Sequence, residues 1–195
     1  MTNMLPMPKL PKVTEPFQRI AFYGPMVSGK TYLANHLVAN HNYRKVAFAD
    51  KLKSLAYELF GVQYKDGPDR IILQKLGDAM RSIDEDVWIK YALNTIQMNK
   101  YLPNLSKYRV VIDDLRLANE AKWLKKNGFI LIYVDADENI RVERMSTLYP
   151  NAAPEALLHA SEQEYKHIVP DYILKNNSPL SLDDLDYGIL GSKDE

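Results

Sequence analysis

The chain predicts an α/β fold of three layers, with a central parallel sheet of about five strands between helices. Three observations carry this. Short apolar runs alternate with helical stretches along most of the 195 residues, the pattern of parallel strands joined by crossover helices. A glycine loop, Gly24-Pro25-Met26-Val27-Ser28-Gly29-Lys30-Thr31, lies between one apolar run and the helix after it. Another run, Val110-Val111-Ile112, ends in the paired carboxylates Asp113 and Asp114.

Taken in order, Arg19 to Tyr23 reads as a short apolar strand entering the glycine loop, and Thr31 to Val38 as the helix leaving it. Tyr43 to Ala47 is short and apolar enough for a second buried strand. Asp50 to Phe60 spaces Leu52, Leu55, Ala56, Leu59 and Phe60 at helical intervals. Pro68 to Ser82 and Asp86 to Met98 read as two more helices. Tyr108 to Asp113 has the composition of a buried parallel strand. Leu117 to Asn127 is a helix closed by Gly128, followed by a strand over Phe129 to Val134 and a helix over Glu138 to Leu148. A helix over Pro154 to His167, a strand over Tyr172 to Leu174 and a terminal helix over Ser181 to Tyr187 complete the pattern. The helical stretch from about 50 to 107 interrupts the alternation and is long enough to form a substrate-gripping region within one domain, 18–195. Residues 1–17 read as a flexible lead-in.

Composition narrows the function classes. Lys plus Arg and Asp plus Glu each number 25, so the formal net charge is zero. That argues against an extended nucleic-acid surface, which carries a basic excess. The chain has no cysteine, which excludes a disulfide framework and a thiolate metal site. No apolar run reaches membrane-spanning length, and Pro6, Pro8, Pro11 and Pro16 break up any signal-peptide core. A cytoplasmic protein with no membrane partner is expected. The four histidines show no metal-ligand spacing and read as structural.

The glycine loop spells G-x-x-x-x-G-K-T between a strand and a helix, the context in which it binds nucleotide phosphates. Gly24, Val27, Ser28 and Gly29 bring backbone N–H groups toward phosphate oxygens, and the helix N-terminus adds partial positive charge. Lys30 is expected to reach the β- and γ-phosphates of ATP, and the Thr31 hydroxyl to ligate Mg²⁺. Beside such a loop, a carboxylate at the end of a parallel strand is read as the second metal residue; Asp114 is preferred, with the choice between Asp113 and Asp114 open. Arg116 follows at the ligand edge of the sheet, where a guanidinium holds phosphate bidentately; a surface ion pair with Glu120 is the alternative.

Four segments occur in a set order: Phe48-Ala49-Asp50-Lys51-Leu52-Lys53, Leu73-Gln74-Lys75-Leu76-Gly77-Asp78-Ala79-Met80-Arg81, Asp86-Val87-Trp88-Ile89, and Asp113-Asp114-Leu115-Arg116-Leu117-Ala118-Asn119-Glu120-Ala121. With the glycine loop, this chain resembles the phage deoxynucleoside monophosphate kinases over about residues 19–185. The resemblance implies a P-loop fold with a helical monophosphate-binding insertion (about 50–107) and a lid (about 141–165). It implies transfer of the γ-phosphate of ATP to a deoxynucleoside 5′-monophosphate. Asp50, Lys53, Arg70, Gln74, Arg81, Trp88, Asp114 and Glu120 would then serve the acceptor, with core packing the alternative for Trp88. Arg141 and Arg144, three apart on one helix, would close over the transferring phosphoryl group from the lid. Asn176 would touch the adenine edge. A homodimer is implied by the resemblance alone. The family's prolines before its L-K and N-E pairs are replaced here by Lys51 and Ala118. Rival readings are another small-molecule kinase on the same core, or an ATP-binding sensor without transfer activity.

Overall fold

In the computed structural model, residues 17–63, 67–98, 109–149 and 164–177 are described. The predicted lead-in up to residue 16, most of the helix over 154–167, the lid segment over 150–163 and the terminal helix lie outside those residues. The strands are β1 (Arg19–Tyr23), β2 (Tyr43–Lys45), β3 (Arg109–Ile112), β4 (Ile130–Asp135) and β5 (Tyr172–Lys175). The helices are α1 (Lys30–Asn40), α2 (Asp50–Phe60), α3 (Gly67–Ile83), α4 (Val87–Met98), α5 (Ala118–Lys126) and α6 (Glu138–Leu148), with a 3₁₀ turn at Glu164–His167.

All strand pairs are parallel and the order is β2-β3-β1-β4-β5. The central strand β1 and its neighbour β4 are apolar on both faces: Ile20, Ala21 and Phe22 of β1 and Leu131 and Ile132 of β4 are fully buried. Each such aliphatic side chain removed from water contributes roughly 1.5–3 kcal/mol. Side chains alternate between two cores. One holds Ile20, Phe22, Val111, Ile132 and Val134 against Leu33, Ala34 and Leu37 of α1. The other holds Ala21, Tyr23, Val110, Ile112 and Leu131 against Trp88, Ile89, Ala121 and Leu124 of α4 and α5.

The predicted second strand ran to Ala47, but β2 ends at Lys45. Beyond it the chain is drawn into a turn. The Asp50 carboxylate accepts the Ala47 N–H at 3.1 Å, and the Phe48 and Ala49 N–H groups are taken by Asp114. α2, α3 and α4 pack on one another as the inserted helical region. Gly77 is buried there, and a Cβ at that position would lie 3.3 Å from Leu52 Cδ2, so α3 and α2 approach closely.

Candidate active site

Because the strands are parallel, the loops after them open on one edge of the sheet. β1 leads into the glycine loop, β2 into Asp50 and Lys53, and β3 into Asp113, Asp114 and Arg116. β4 leads into α6 with Arg141 and Arg144, and β5 into Asn176. The connection from β1 runs toward β2, whereas that from β4 runs toward β5. Connections diverging from neighbouring strands open a crevice between them, here between β1 and β4.

Three residues of the glycine loop take positive φ: Gly24 (+134°), Val27 (+53°) and Gly29 (+101°). A Cβ on Gly24 would meet the Val134 carbonyl oxygen at 2.5 Å, and one on Gly29 would meet Asn176 Nδ2 at 2.2 Å. Neither site admits a side chain, so the two fixed positions of the motif have steric causes. Val27 is a branched residue in the left-handed region, a costly conformation that surroundings must impose. α1 begins at Lys30 with no side-chain cap and no acidic residue in its first turn. Its first N–H groups and its dipole therefore favour an anion at the loop. The Lys30 ammonium lies over the loop, donating to the Gly24 and Pro25 carbonyls at 2.9 and 2.6 Å and to Ser28 Oγ at 3.4 Å. Thr31 is exposed beside it. Uncapped amides, an ammonium and a hydroxyl are a donor set that fits a nucleotide polyphosphate with a divalent cation.

The end of β3 is more tightly engaged. Asp113 is buried and ion-paired with Lys45 at 2.6 Å. Asp114 accepts the Phe48 N–H on Oδ1 at 3.0 Å and the Ala49 N–H on Oδ2 at 2.9 Å. Burial raises the Asp114 carboxyl above its ordinary range; the Ala49 amide opposes the rise and the Asp113 charge adds to it. Asp114 thus ties the sheet edge to the start of the helical insertion, and it keeps lone pairs beyond those two bonds. Arg116 is exposed on the same edge.

Glu120, expected on the acceptor side, is buried, and its Oε2 accepts the Arg116 and Leu117 N–H groups at 2.9 and 3.0 Å, capping α5. Arg116 contacts Glu120 through its backbone N–H. Burial raises the Glu120 carboxyl to about 7. Trp88 belongs to the core, 4% exposed, because α4 turns its apolar face onto the sheet; its indole N–H is buried with no hydrogen-bond partner among the described residues. Asn176 is also buried, and its amide donates to the Ser28 carbonyl at 2.6 Å, so it supports the glycine loop. Arg144 NH2 donates to the Asn176 backbone oxygen and Oδ1 at 2.9 and 3.2 Å, a docked position distinct from a side chain reaching across the crevice.

The remaining candidates are placed as follows. Arg141 Nε donates to Ala136 O at 3.2 Å. Asp50 and Lys53 form an exposed pair at 3.8 Å on the first turn of α2. Gln74 is half-buried on α3, and Arg81 pairs with Asp78 at 3.3 Å. The positive charge of Arg81 opposes the rise of the Glu120 carboxyl. The backbone of Arg70 lies in the first turn of α3, and its side chain lies outside the described residues. Tyr133 of β4 also lies beside the glycine loop. Its ring lies 3.2 Å from the position of a Gly24 Cβ, 5.3 Å from the Tyr23 ring and 6.0 Å from the Tyr165 ring between centroids, within the field of Arg141. Burial raises its phenol above the ordinary value. The only sequence signal was its place in an apolar strand.

A family model described as AAA domain matches residues 20–178. Among solved structures, the fold is similar to a gluconokinase from Sinorhizobium meliloti 1021, with TM-score 0.53 and 15% identity over 90% of this chain and 91% of that one. TT1252 from Thermus thermophilus gives TM-score 0.54 and 20% identity over 89% and 94%. A sugar kinase from Janibacter sp. HTCC2649 gives 0.51 and 16% over 84% and 88%. At these identities the likeness is one of fold, and the fold is that of P-loop kinases. No curated protein matches the sequence. Among the described residues, no helix is long and apolar enough to cross a membrane.

Proposed function

This chain belongs to the AAA domain family, and from that premise we propose that it transfers the γ-phosphoryl group of ATP directly to a deoxynucleoside 5′-monophosphate. The observation that carries the donor half is the uncapped N-terminus of α1 behind a loop held left-handed at Gly24, Val27 and Gly29, with the Lys30 ammonium over it. The acceptor half rests on the resemblance of the segments around Asp50, Gln74 and Arg116.

In this reading an oxygen of the acceptor phosphate attacks the γ-phosphorus in line. The bond to the β,γ-bridging oxygen breaks, leaving ADP and a deoxynucleoside diphosphate. No strong general base is required, since the attacking oxygen is already ionised. Loop amides and Lys30 hold the donor phosphates, and Arg116, Arg141 and Arg144 lie on the same edge to offset charge on the moving group. Thr31 and Asp114 would hold Mg²⁺, which supplies further neutralisation of phosphate charge. Arg144 would have to leave Asn176 to reach the phosphoryl group, a rearrangement of the kind that accompanies lid closure. Asp50, Lys53, Arg70, Gln74 and Arg81 are the acceptor-side candidates.

A coupled ADP-release assay across all deoxynucleoside and ribonucleoside monophosphates, with and without Mg²⁺, tests the proposal. Metal-dependent ADP release stimulated by one or more deoxynucleotides is expected. The similarity of fold to a gluconokinase and a sugar kinase favours, as second reading, a carbohydrate or sugar-acid acceptor. Transfer of labelled γ-phosphate to such a compound and to no nucleotide would replace the first reading.

A further inference from the structure

Asn176, the first residue after β5, joins four parts of the molecule. Its backbone N–H donates to Asp135 O of β4 at 2.7 Å. Its side-chain N–H donates to the Ser28 carbonyl at 2.6 Å. Its two oxygens accept from Arg144 NH2 of α6. Its amide also fills the space that a Gly29 side chain would need.

The Ser28 carbonyl and the Gly29 N–H belong to one peptide unit. That unit is planar and trans, so the two groups point in opposite directions. Fixing the carbonyl on Asn176 therefore directs the Gly29 N–H away from Asn176. Glycine at φ +101° supplies no side chain to hold the plane by itself. Among the described residues, Arg144 NH1 is buried without a hydrogen-bond partner while NH2 makes both bonds to Asn176, so the docking of this guanidinium depends on the same residue.

We propose that Asn176 is a positioning residue that sets the Ser28–Gly29 peptide plane for phosphate binding and couples that plane to α6 through Arg144. The proposal rests on the reading of the glycine loop as a nucleotide cradle. It assigns Asn176 to the donor phosphates, acting through the loop and not through adenine.

The test uses the full chain with Mg²⁺ and the non-hydrolysable β,γ-imido analogue of ATP, titrated calorimetrically. Asn176→Ala removes the support. Asn176→Asp is isosteric, keeps both acceptors for Arg144 and turns an oxygen toward the Ser28 carbonyl. Folding of each variant is checked by cooperative thermal unfolding without nucleotide; should Asn176→Ala fail to fold, Asn176→Asp carries the test. Folded variants are expected to bind the analogue about ten- to a hundredfold more weakly, the range for a buried hydrogen bond lost against an unsatisfied acceptor. KM for the acceptor should stay near that of the unaltered protein. A lowered melting temperature with unchanged analogue affinity would overturn the proposal and leave the kinase reading standing. Failure of the unaltered protein to bind the analogue would remove both.

Discussion

Replacing Glu120 by Gln should change how the stability of this protein depends on pH. Glu120 is buried, 6% exposed, and its Oε2 accepts two backbone N–H groups at the start of α5. A Gln side chain retains a carbonyl oxygen for that cap. It cannot ionise. Burial is the main cause that lifts the carboxyl from its ordinary 4.5 to about 7, opposed by the Arg116 and Leu117 amides and the Arg81 charge and reinforced by the charge of Asp114. Between those values the native state binds a proton that the unfolded chain has released. Stability from this group is therefore fully present below pH 4.5 and is lost as pH rises through about 7. At 1.36 kcal/mol per pKa unit, the loss is about 3 kcal/mol. Urea unfolding of both proteins from pH 4 to 8.5 measures it. The stability of the natural protein minus that of Glu120→Gln should fall by about 3 kcal/mol across the window and be flat above it. A difference that stays constant with pH would refute the reasoning, since the carboxyl would then titrate alike in both states.

Further outcomes follow from the site. Lys30→Ala should leave the fold intact and slow transfer about a hundred- to thousandfold, the scale for removing one preorganised charge-stabilising donor; near-normal turnover with ATP and deoxynucleoside monophosphates would rule out the proposed role. Asp114→Ala leaves the Phe48 and Ala49 N–H groups without their acceptor and should cost roughly 2–4 kcal/mol, read as a lower urea midpoint. Trp88→Phe removes a buried N–H that lacks a partner among the described residues but also core volume, and should shift stability by about 1–3 kcal/mol. It should leave acceptor KM unchanged, whereas a weakened acceptor KM in the folded variant would restore the base-contact role.

The order of elements could be read from periodicity because local backbone preference and one-sided burial act over a few residues. The α2 bounds, Asp50 to Phe60, and the α6 bounds, Glu138 to Leu148, agree with the structure on that basis. The glycine loop was equally legible: its chemistry needs glycines, a lysine and a hydroxyl at fixed spacing, all contributed by neighbouring residues. What a side chain touches across the sheet was not legible. Nothing in the sequence showed that the Glu120 carboxylate accepts two amides at the start of its own helix. Asn176 lies 148 positions from Ser28 in sequence, and only the placing of β5 beside β4 and β4 beside β1 brings the two together. Trp88 could be assigned to the core only once α4 had a sheet to pack on.

By itself, then, the sequence determined the class of fold and the phosphate-binding loop, because both arise from local periodicity and local stereochemistry. Tertiary structure alone decided which polar groups are buried and bonded within the scaffold. That choice depends on burial, and burial is a property of elements brought together from distant parts of the chain.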